Sequence, residues 1–146
     1  MFGPRSSLFK ALILSALCAS CASAQSPTCG LGLIQHIDKL ANGVRIRTAH
    51  GLEEITALRP DVFRVRISST VQLPEDASWA VIPEAHHSTA PVTVDNTASA
   101  ITLHTSAVTA ELNRTNLTLT VHDSSGRTLL HDAHSVCFTG HAFRFS

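Results

Sequence analysis

Aromatic and charged residues are scarce in this sequence. It contains no tyrosine, one tryptophan and six phenylalanines, and charged residues make up 15% of its 146 positions. Sugar-binding modules commonly stack saccharide rings on exposed aromatic side chains, so this chain offers few such platforms. Eleven basic residues balance eleven acidic ones, and no basic block stands out. Because nonspecific binding to phosphate needs clustered Lys and Arg, nucleic acid is not an expected partner.

Helical periodicity is almost absent from the chain. Short apolar runs separated by turn residues are typical of an all-β sandwich or barrel. The predicted strands are Val44–Thr48, Glu54–Leu58, Val62–Ser68, Trp79–Ile82, Val92–Val94, Ala100–Thr105, Val108–Asn113, Leu117–His122 and Arg127–Leu130. The last four alternate apolar with more polar positions and are joined by short turns, which predicts an antiparallel meander with one wet face.

Only the N-terminus carries a long apolar run. Arg5 and Lys10 flank the start of this run, which covers residues 11–19, and small residues follow at 22–24. The pattern is typical of an export signal, so residues 1–24 are predicted to be a cleaved signal peptide. The run is shorter than the roughly 20 apolar residues of a membrane span. We therefore expect an exported protein, periplasmic or extracellular, with no membrane partner after cleavage.

The mature chain is long enough for one domain. Residues 25–41 are expected to be a lead-in segment, and residues 42–146 to form the domain. A lipoprotein anchored at Cys21 is the alternative to a soluble product. Cys29 and Cys137 are the cysteines left after cleavage. Export to an oxidising compartment favours a disulfide between them, and two unpaired thiols are the alternative.

One strand carries a pronounced alternation of apolar and charged residues. Phe63, Val65 and Ile67 alternate with Arg64 and Arg66. A period of two predicts a half-buried strand whose three apolar side chains build the core. The two arginines are then expected on a solvent or interdomain face, and neither is expected to be catalytic.

Several segments resemble a known family in their order and spacing. Residues 59–68 lead through a Pro-Glu-Asp turn into Ser-Trp-Ala-Val at 78–81, and residues 117–130 read as a strand, an Asp-x-x-Gly turn and a Leu-Leu strand. Together with residues 42–46 and 100–113, they are similar to the N-terminal β-sandwich of glycoside hydrolase family 31. This is the α-glucosidase and α-xylosidase family.

The resemblance implies an antiparallel, galactose-mutarotase-like β-sandwich that precedes a (β/α)8 barrel with two catalytic aspartates. Since such a barrel needs about 250 residues, we expect this chain to be an incomplete, non-catalytic N-terminal domain. Its implied partners are the barrel and a carbohydrate of the α-glucoside or α-xyloside type, and no cofactor is implied. Its implied role is to support the barrel and to shape the carbohydrate cleft. Weak binding of carbohydrate by the domain itself is a further expectation.

Three residues are candidates for contact with a sugar. Trp79 precedes an apolar segment and is expected in the core, with a sugar platform as the alternative. His86 and His87 lie in a loop bounded by prolines. Loops collect polar residues regardless of function, so a solvated loop is the competing interpretation.

Two other functional classes stay open at this stage. The first is a free-standing secreted β-sandwich that binds carbohydrate without an enzyme. The second is a small metal-binding periplasmic protein, since four residues of zinc-binding types lie close together: His131, His134, Cys137 and His141. Zinc ligands usually sit on tight knuckles or helix faces, whereas this stretch is predicted as strand and loop, so no metal site is assigned.

Overall fold

The computed structural model of the chain describes residues 28–76, 89–139 and 142–144. Strands and turns make up these ranges without any helix, which confirms the all-β prediction. In chain order the strands are β1 Thr28–Cys29, β2 Ile34–Leu40, β3 Gly43–Thr48, β4 Leu52–Arg59, β5 Val62–Ser68, β6 Thr93–Asn96, β7 Ala100–His104, β8 Val108–Asn113, β9 Leu119–Asp123, β10 Thr128–His131, β11 Cys137–Thr139 and β12 Ala142–Arg144. Among the described residues, no helix is long and apolar enough to cross a membrane.

Two antiparallel sheets form the body of the fold. The first has the strand order β2-β3-β4-β5 and the second the order β10-β9-β8-β7-β6. Every neighbouring pair in the second sheet is consecutive in sequence, which confirms the predicted meander. A small third sheet has the order β1-β11-β12. Among the described strands, β5 and β10 are therefore the edge strands of the two large sheets on this side.

The hydrophobic core lies between the two large sheets. Alternation along each strand directs every second side chain inward. The largest fully buried side chains come from both sheets and belong to one cluster: Val44, Ile46 and Ile55 from the first, and Ile101, Leu103 and Leu112 from the second. Burial of each contributes about 1.5–3 kcal/mol, so this cluster is the main source of stability in the described fold.

The strand β5 spans the predicted residues, but its apolar side chains lie at the margin of the core. Phe63 and Ile67 are partly buried and pack against the core cluster. Val65 is 39% exposed. The prediction that all three build the core is therefore too strong. The cause is the position of β5 at the end of its sheet, since no described strand covers its outer flank.

The first sheet also begins earlier than we expected. Residues 25–41 were predicted to be a lead-in, yet β2 lies within them and pairs antiparallel with β3 from Leu40↔Gly43 to Ile34↔Thr48. Its burial pattern is irregular because β2 is an edge strand with a register shift, which explains why periodicity did not reveal it. The predicted signal peptide and the predicted strand Trp79–Ile82 lie outside the described residues.

The turn between β9 and β10 has the predicted Asp-x-x-Gly geometry. Gly126 has a φ of +83° and donates its N–H to the Asp123 carbonyl at 3.0 Å. The Asp123 carboxylate accepts hydrogen bonds from Ser125 and from both the backbone and the side chain of Arg127. These bonds, led by the Ser125 hydroxyl, lower the pKa of Asp123 to about 2. The turn is thus held by a carboxylate that stays ionised.

The small third sheet brings two cysteine positions together. β1 pairs with β11 so that Cys29 lies directly opposite Cys137. Cys137 is disulfide-bonded. This register is compatible with the predicted pairing of Cys29 with Cys137, because cystines form between positions whose Cα atoms are close.

We expect the exported, mature chain to contain one disulfide between Cys29 and Cys137. Mass measurement before and after reduction should differ by two protons, and peptide mapping should link the two cysteines. A mature chain that carries two alkylatable thiols without reduction would contradict this pairing.

Candidate functional site

The three predicted sugar-contact residues, Trp79, His86 and His87, lie outside the described residues. The structure therefore does not test them, and they stay predictions.

Two residues of the candidate metal cluster, His131 and Cys137, are engaged otherwise. The His131 ring Nδ1 lies 2.9 Å from the Thr120 hydroxyl on the neighbouring strand. Cys137 is disulfide-bonded and offers no thiolate. His141 lies outside the described residues, and no group of three metal-binding side chains occurs within them. The structure thus gives no support to the metal-protein alternative.

A cavity of about 250 Å³ lies between the edges of the two large sheets. Most of its walls are aliphatic, and three of its side chains can carry charge. Its lining residues are Glu53, Val65, Ile67, Leu117, Leu119, Leu130, Asp132, His134 and Val136. β4 and β5 contribute from one sheet, and β9, β10 and the segment after β10 contribute from the other. This cavity is the candidate site of the described fold.

Glu53 is the buried acidic group of this cavity. In the sheet register it lies opposite Ile46 on β3 and Ile67 on β5, so its side chain is on the apolar inner face. It is 3% exposed. Within residues 28–76, 89–139 and 142–144, its carboxyl group makes no hydrogen bond or ion pair. A glutamate in this position is unusual because burial without a partner strongly disfavours its charged form.

Burial, together with the nearby negative charge of Asp132, raises the pKa of Glu53 to about 8. Asp132 is itself fixed by β9: its carboxylate accepts the Leu119 N–H at 3.1 Å, and its own N–H donates to the Leu119 carbonyl at 2.9 Å. The cavity thus holds two carboxyl groups in contrasting surroundings, one bonded to backbone and one facing aliphatic walls.

Part of the cavity wall depends on a strained backbone position. Leu117 has a φ of +56°, a region that residues with a Cβ rarely adopt. Its N–H donates to the Asn113 carbonyl at 2.8 Å, which closes a tight turn before β9. The predicted strand at 117–122 therefore begins only at Leu119. The turn directs the buried Leu117 side chain to the cavity, where it forms part of the wall.

The opposite face of the first sheet carries a row of alternating charges. Cross-strand pairing places Asp38, Arg45, Glu54 and Arg66 side by side on four neighbouring strands. Arg45 donates to Glu54 through Nε at 2.9 Å and Nη2 at 2.6 Å. Arg66 Nη1 lies 3.9 Å from the second Glu54 oxygen. Glu54 is therefore paired although it is 7% exposed, in contrast to Glu53 beside it.

The two arginines of β5 hold the segment that follows the strand. Arg66 Nη2 donates to the Pro74 carbonyl at 2.5 Å. Arg64 forms a two-pronged ion pair with Asp76, and this hydrogen bonding raises the pKa of Arg64. Both side chains lie on the face of the sheet opposite the core, as predicted, and residues 74–76 cover part of each. They have a structural role in securing residues 74–76.

Sequence reasoning did not identify Glu53. The predicted strand began at Glu54, whereas β4 begins at Leu52. With this start, the same alternation that buries Ile55 and Ala57 also directs Glu53 inward. The alternation of β4 therefore indicates an inward position for Glu53, but acidic residues are seldom buried, so this position was not expected.

The family of the chain follows from its sequence match. A model of the glycosyl hydrolase 31 N-terminal galactose mutarotase-like domain matches residues 53–144, more than half of the chain. The chain belongs to this family. The match confirms the predicted resemblance and its galactose-mutarotase-like fold. No match was found among the curated proteins.

Two solved proteins that share this domain fold are much longer than this chain. The Flavobacterium johnsoniae GH31 dextranase, solved in complex with isomaltotriose and with glucose, is 20% identical with a TM-score of 0.64. The match covers 73% of this chain and 13% of that chain. An uncharacterized protein from Listeria monocytogenes EGD-e is 15% identical with a TM-score of 0.58, over 75% of this chain and 10% of its own. The glycosyl hydrolase 31 N-terminal domain thus corresponds to a small part of each.

We expect the stability of the domain to depend on pH through Glu53. Its pKa is about 8 in the folded state and 4.5 ordinarily, so the folded state binds more protons between these values. The free energy of unfolding should therefore fall as pH rises from about 4.5 to about 8, and then level off. In urea titrations across this window, Glu53→Gln should remove this fall, which is on the order of a few kcal/mol.

The matched control is Glu111→Gln, the same substitution at an exposed position on β8. Its pH dependence should follow that of the unsubstituted domain. If the Glu53→Gln and Glu111→Gln profiles run parallel, Glu53 is not a protonated buried carboxyl group.

Proposed function

We propose that this chain is the non-catalytic N-terminal domain of an exported α-glycosidase. In this proposal it packs against a (β/α)8 catalytic barrel, supports that barrel and forms one wall of the carbohydrate cleft. The family membership and fold support a place beside such a barrel, and the export-like pattern of residues 1–24 supports secretion. The structural relative solved with isomaltotriose supports an α-linked glucan as the substrate class of the complete enzyme.

The observation that carries the supporting role is the flank between β5 and β10, which no described strand covers. Both are edge strands, and both line the same cavity. Their apolar side chains are partly exposed, with Val62 and Val65 on β5 and Leu129 and Leu130 on β10. Unpaired strand edges with exposed apolar side chains are association surfaces unless another element covers them. A catalytic barrel packed on this flank would cover both.

The carboxyl groups of the cavity favour a non-catalytic role. Retaining glycosidases use two carboxyl groups about 5–5.5 Å apart, one of which must be an ionised nucleophile. Glu53 is protonated at neutral pH because of its raised pKa. The cavity of about 250 Å³ is also at the small end for ligand pockets and is mostly aliphatic, whereas a sugar needs several polar partners. We therefore assign the chemistry to the barrel.

The proposal is tested by comparing this chain with a protein in which the same reading frame continues into a barrel. The longer protein should hydrolyse isomaltotriose, and the 146-residue chain should not. Hydrolysis by the short chain would contradict the non-catalytic role. An unrelated downstream sequence, combined with sugar binding by the chain alone, would favour the free-standing carbohydrate-binding module instead.

The docking flank is tested in the longer protein by Leu130→Glu. A charge on this edge should lower both the melting temperature and the hydrolysis rate, the latter at least severalfold, because it would be buried against the barrel. Leu33→Glu is the matched control, since Leu33 is 78% exposed and lies outside β5 and β10. Equal effects of the two substitutions would argue against docking at this flank.

A further inference from the structure

Glu53 is a buried acidic group with room in front of it. Its side chain is more than nine-tenths buried and lines the cavity of about 250 Å³. Glu53 forms no hydrogen bond or ion pair in the described parts of the chain, yet no fully enclosed side-chain oxygen there lacks a partner, so its carboxyl oxygens reach the cavity space. A carboxyl group that is largely removed from water loses hydration, and a ligand that supplies a partner recovers part of that loss as binding energy.

The cavity is accessible from the surface. Val65 and Leu130 line it from opposite sheets, yet they are 39% and 49% exposed. The opening therefore lies between the β5 and β10 edges.

The chemistry of the walls selects the class of ligand. Aliphatic side chains of both sheets, among them Ile67, Leu117 and Leu119, favour a hydrocarbon skeleton. A calcium ion would require six or more oxygen ligands, and the described lining supplies only the carboxyl groups of Glu53 and Asp132. An ammonium group needs only a few acceptors, and carboxylates bind it with charge-assisted hydrogen bonds.

The volume limits the size of the ligand. A dry cavity of about 150 Å³ accommodates benzene. By proportion, the cavity beside Glu53 has room for about ten non-hydrogen atoms.

We propose that this cavity binds a small primary organic ammonium ion, with the ammonium group on the Glu53 carboxylate and the hydrocarbon skeleton against the aliphatic walls. Asp132 adds a second negative charge on the same side. The residues of the proposed site all belong to this chain, but its opening lies on the flank that is proposed to dock a barrel, so ligand binding is tested on this chain alone.

Proton linkage gives the site a distinctive signature. Glu53 is mostly protonated at neutral pH because its pKa is about 8, and an ammonium ligand requires the carboxylate. Binding should therefore release close to one proton per ligand, and affinity should rise as pH increases toward about 8. The other titratable side chains at the cavity are Asp132 and His134, while β5 and β9 contribute only aliphatic ones.

The test is calorimetric titration of the 146-residue chain with benzylammonium at neutral pH, in two buffers with different ionisation enthalpies. Benzyl alcohol is the neutral ligand of similar shape. We expect benzylammonium to bind more tightly than benzyl alcohol and to release close to one proton. Glu53→Gln should weaken benzylammonium binding at least tenfold, whereas Glu111→Gln, at an exposed position, should leave it unchanged.

Equal affinity for the ammonium and the alcohol would overturn the proposal, as would unchanged binding by Glu53→Gln or absence of binding to the unsubstituted chain. The proton count is measured on the unsubstituted chain, so a Glu53→Gln variant that fails to melt cooperatively does not prevent a decision. Release of no proton would also count against Glu53 as the binding group.

Discussion

Alternation of side chains across two facing antiparallel sheets governs which residues of this chain are buried. A strand that directs Ile46 or Leu103 inward must direct its neighbours in sequence outward. The inner faces meet in one apolar cluster drawn from both sheets. Because the strand register is shared across each sheet, the inward or outward position of one residue determines that of every residue in its row.

Glu53 is a consequence of this constraint. It occupies the same row as Ile46 and Ile67, so moving it outward would require a register shift that exposes Ile55 as well. Its neighbour Glu54 faces outward and is paired with Arg45. Adjacent glutamates on one strand therefore lie in opposite environments. The cavity in front of Glu53 lies where the two sheets have edges and therefore fewer side chains to fill the space.

Much of the architecture could be predicted from the sequence, because the inner strands alternate cleanly. Strand β8 was predicted at Val108–Asn113 and is found there, and the Asp123 turn has the expected glycine geometry. The family was also recognisable from the order of its segments. Edge strands were harder to predict: β2 lacks a regular pattern, and Val65 alternates like a core residue but lies at an open edge.

The candidate site could not be predicted in the same way. A cavity depends on the distance between two sheets and on which of their edges meet. The alternation of residues along a single strand determines neither of these. The inward position of Glu53 follows from alternation only when the true start of β4 is known. The strained turn at Leu117 also had no sequence signal, because leucine rarely adopts a positive φ.

We propose that the flank between β5 and β10 is the surface on which the rest of a glycosidase packs. Hydrogen–deuterium exchange tests it most directly, by comparing amides of this domain alone and joined to its barrel. The account predicts added protection in β5 and β10, with little change in β2 and β6, which are the opposite edges of the same sheets. Protection confined to β2 and β6, or no change in any edge strand, would contradict it.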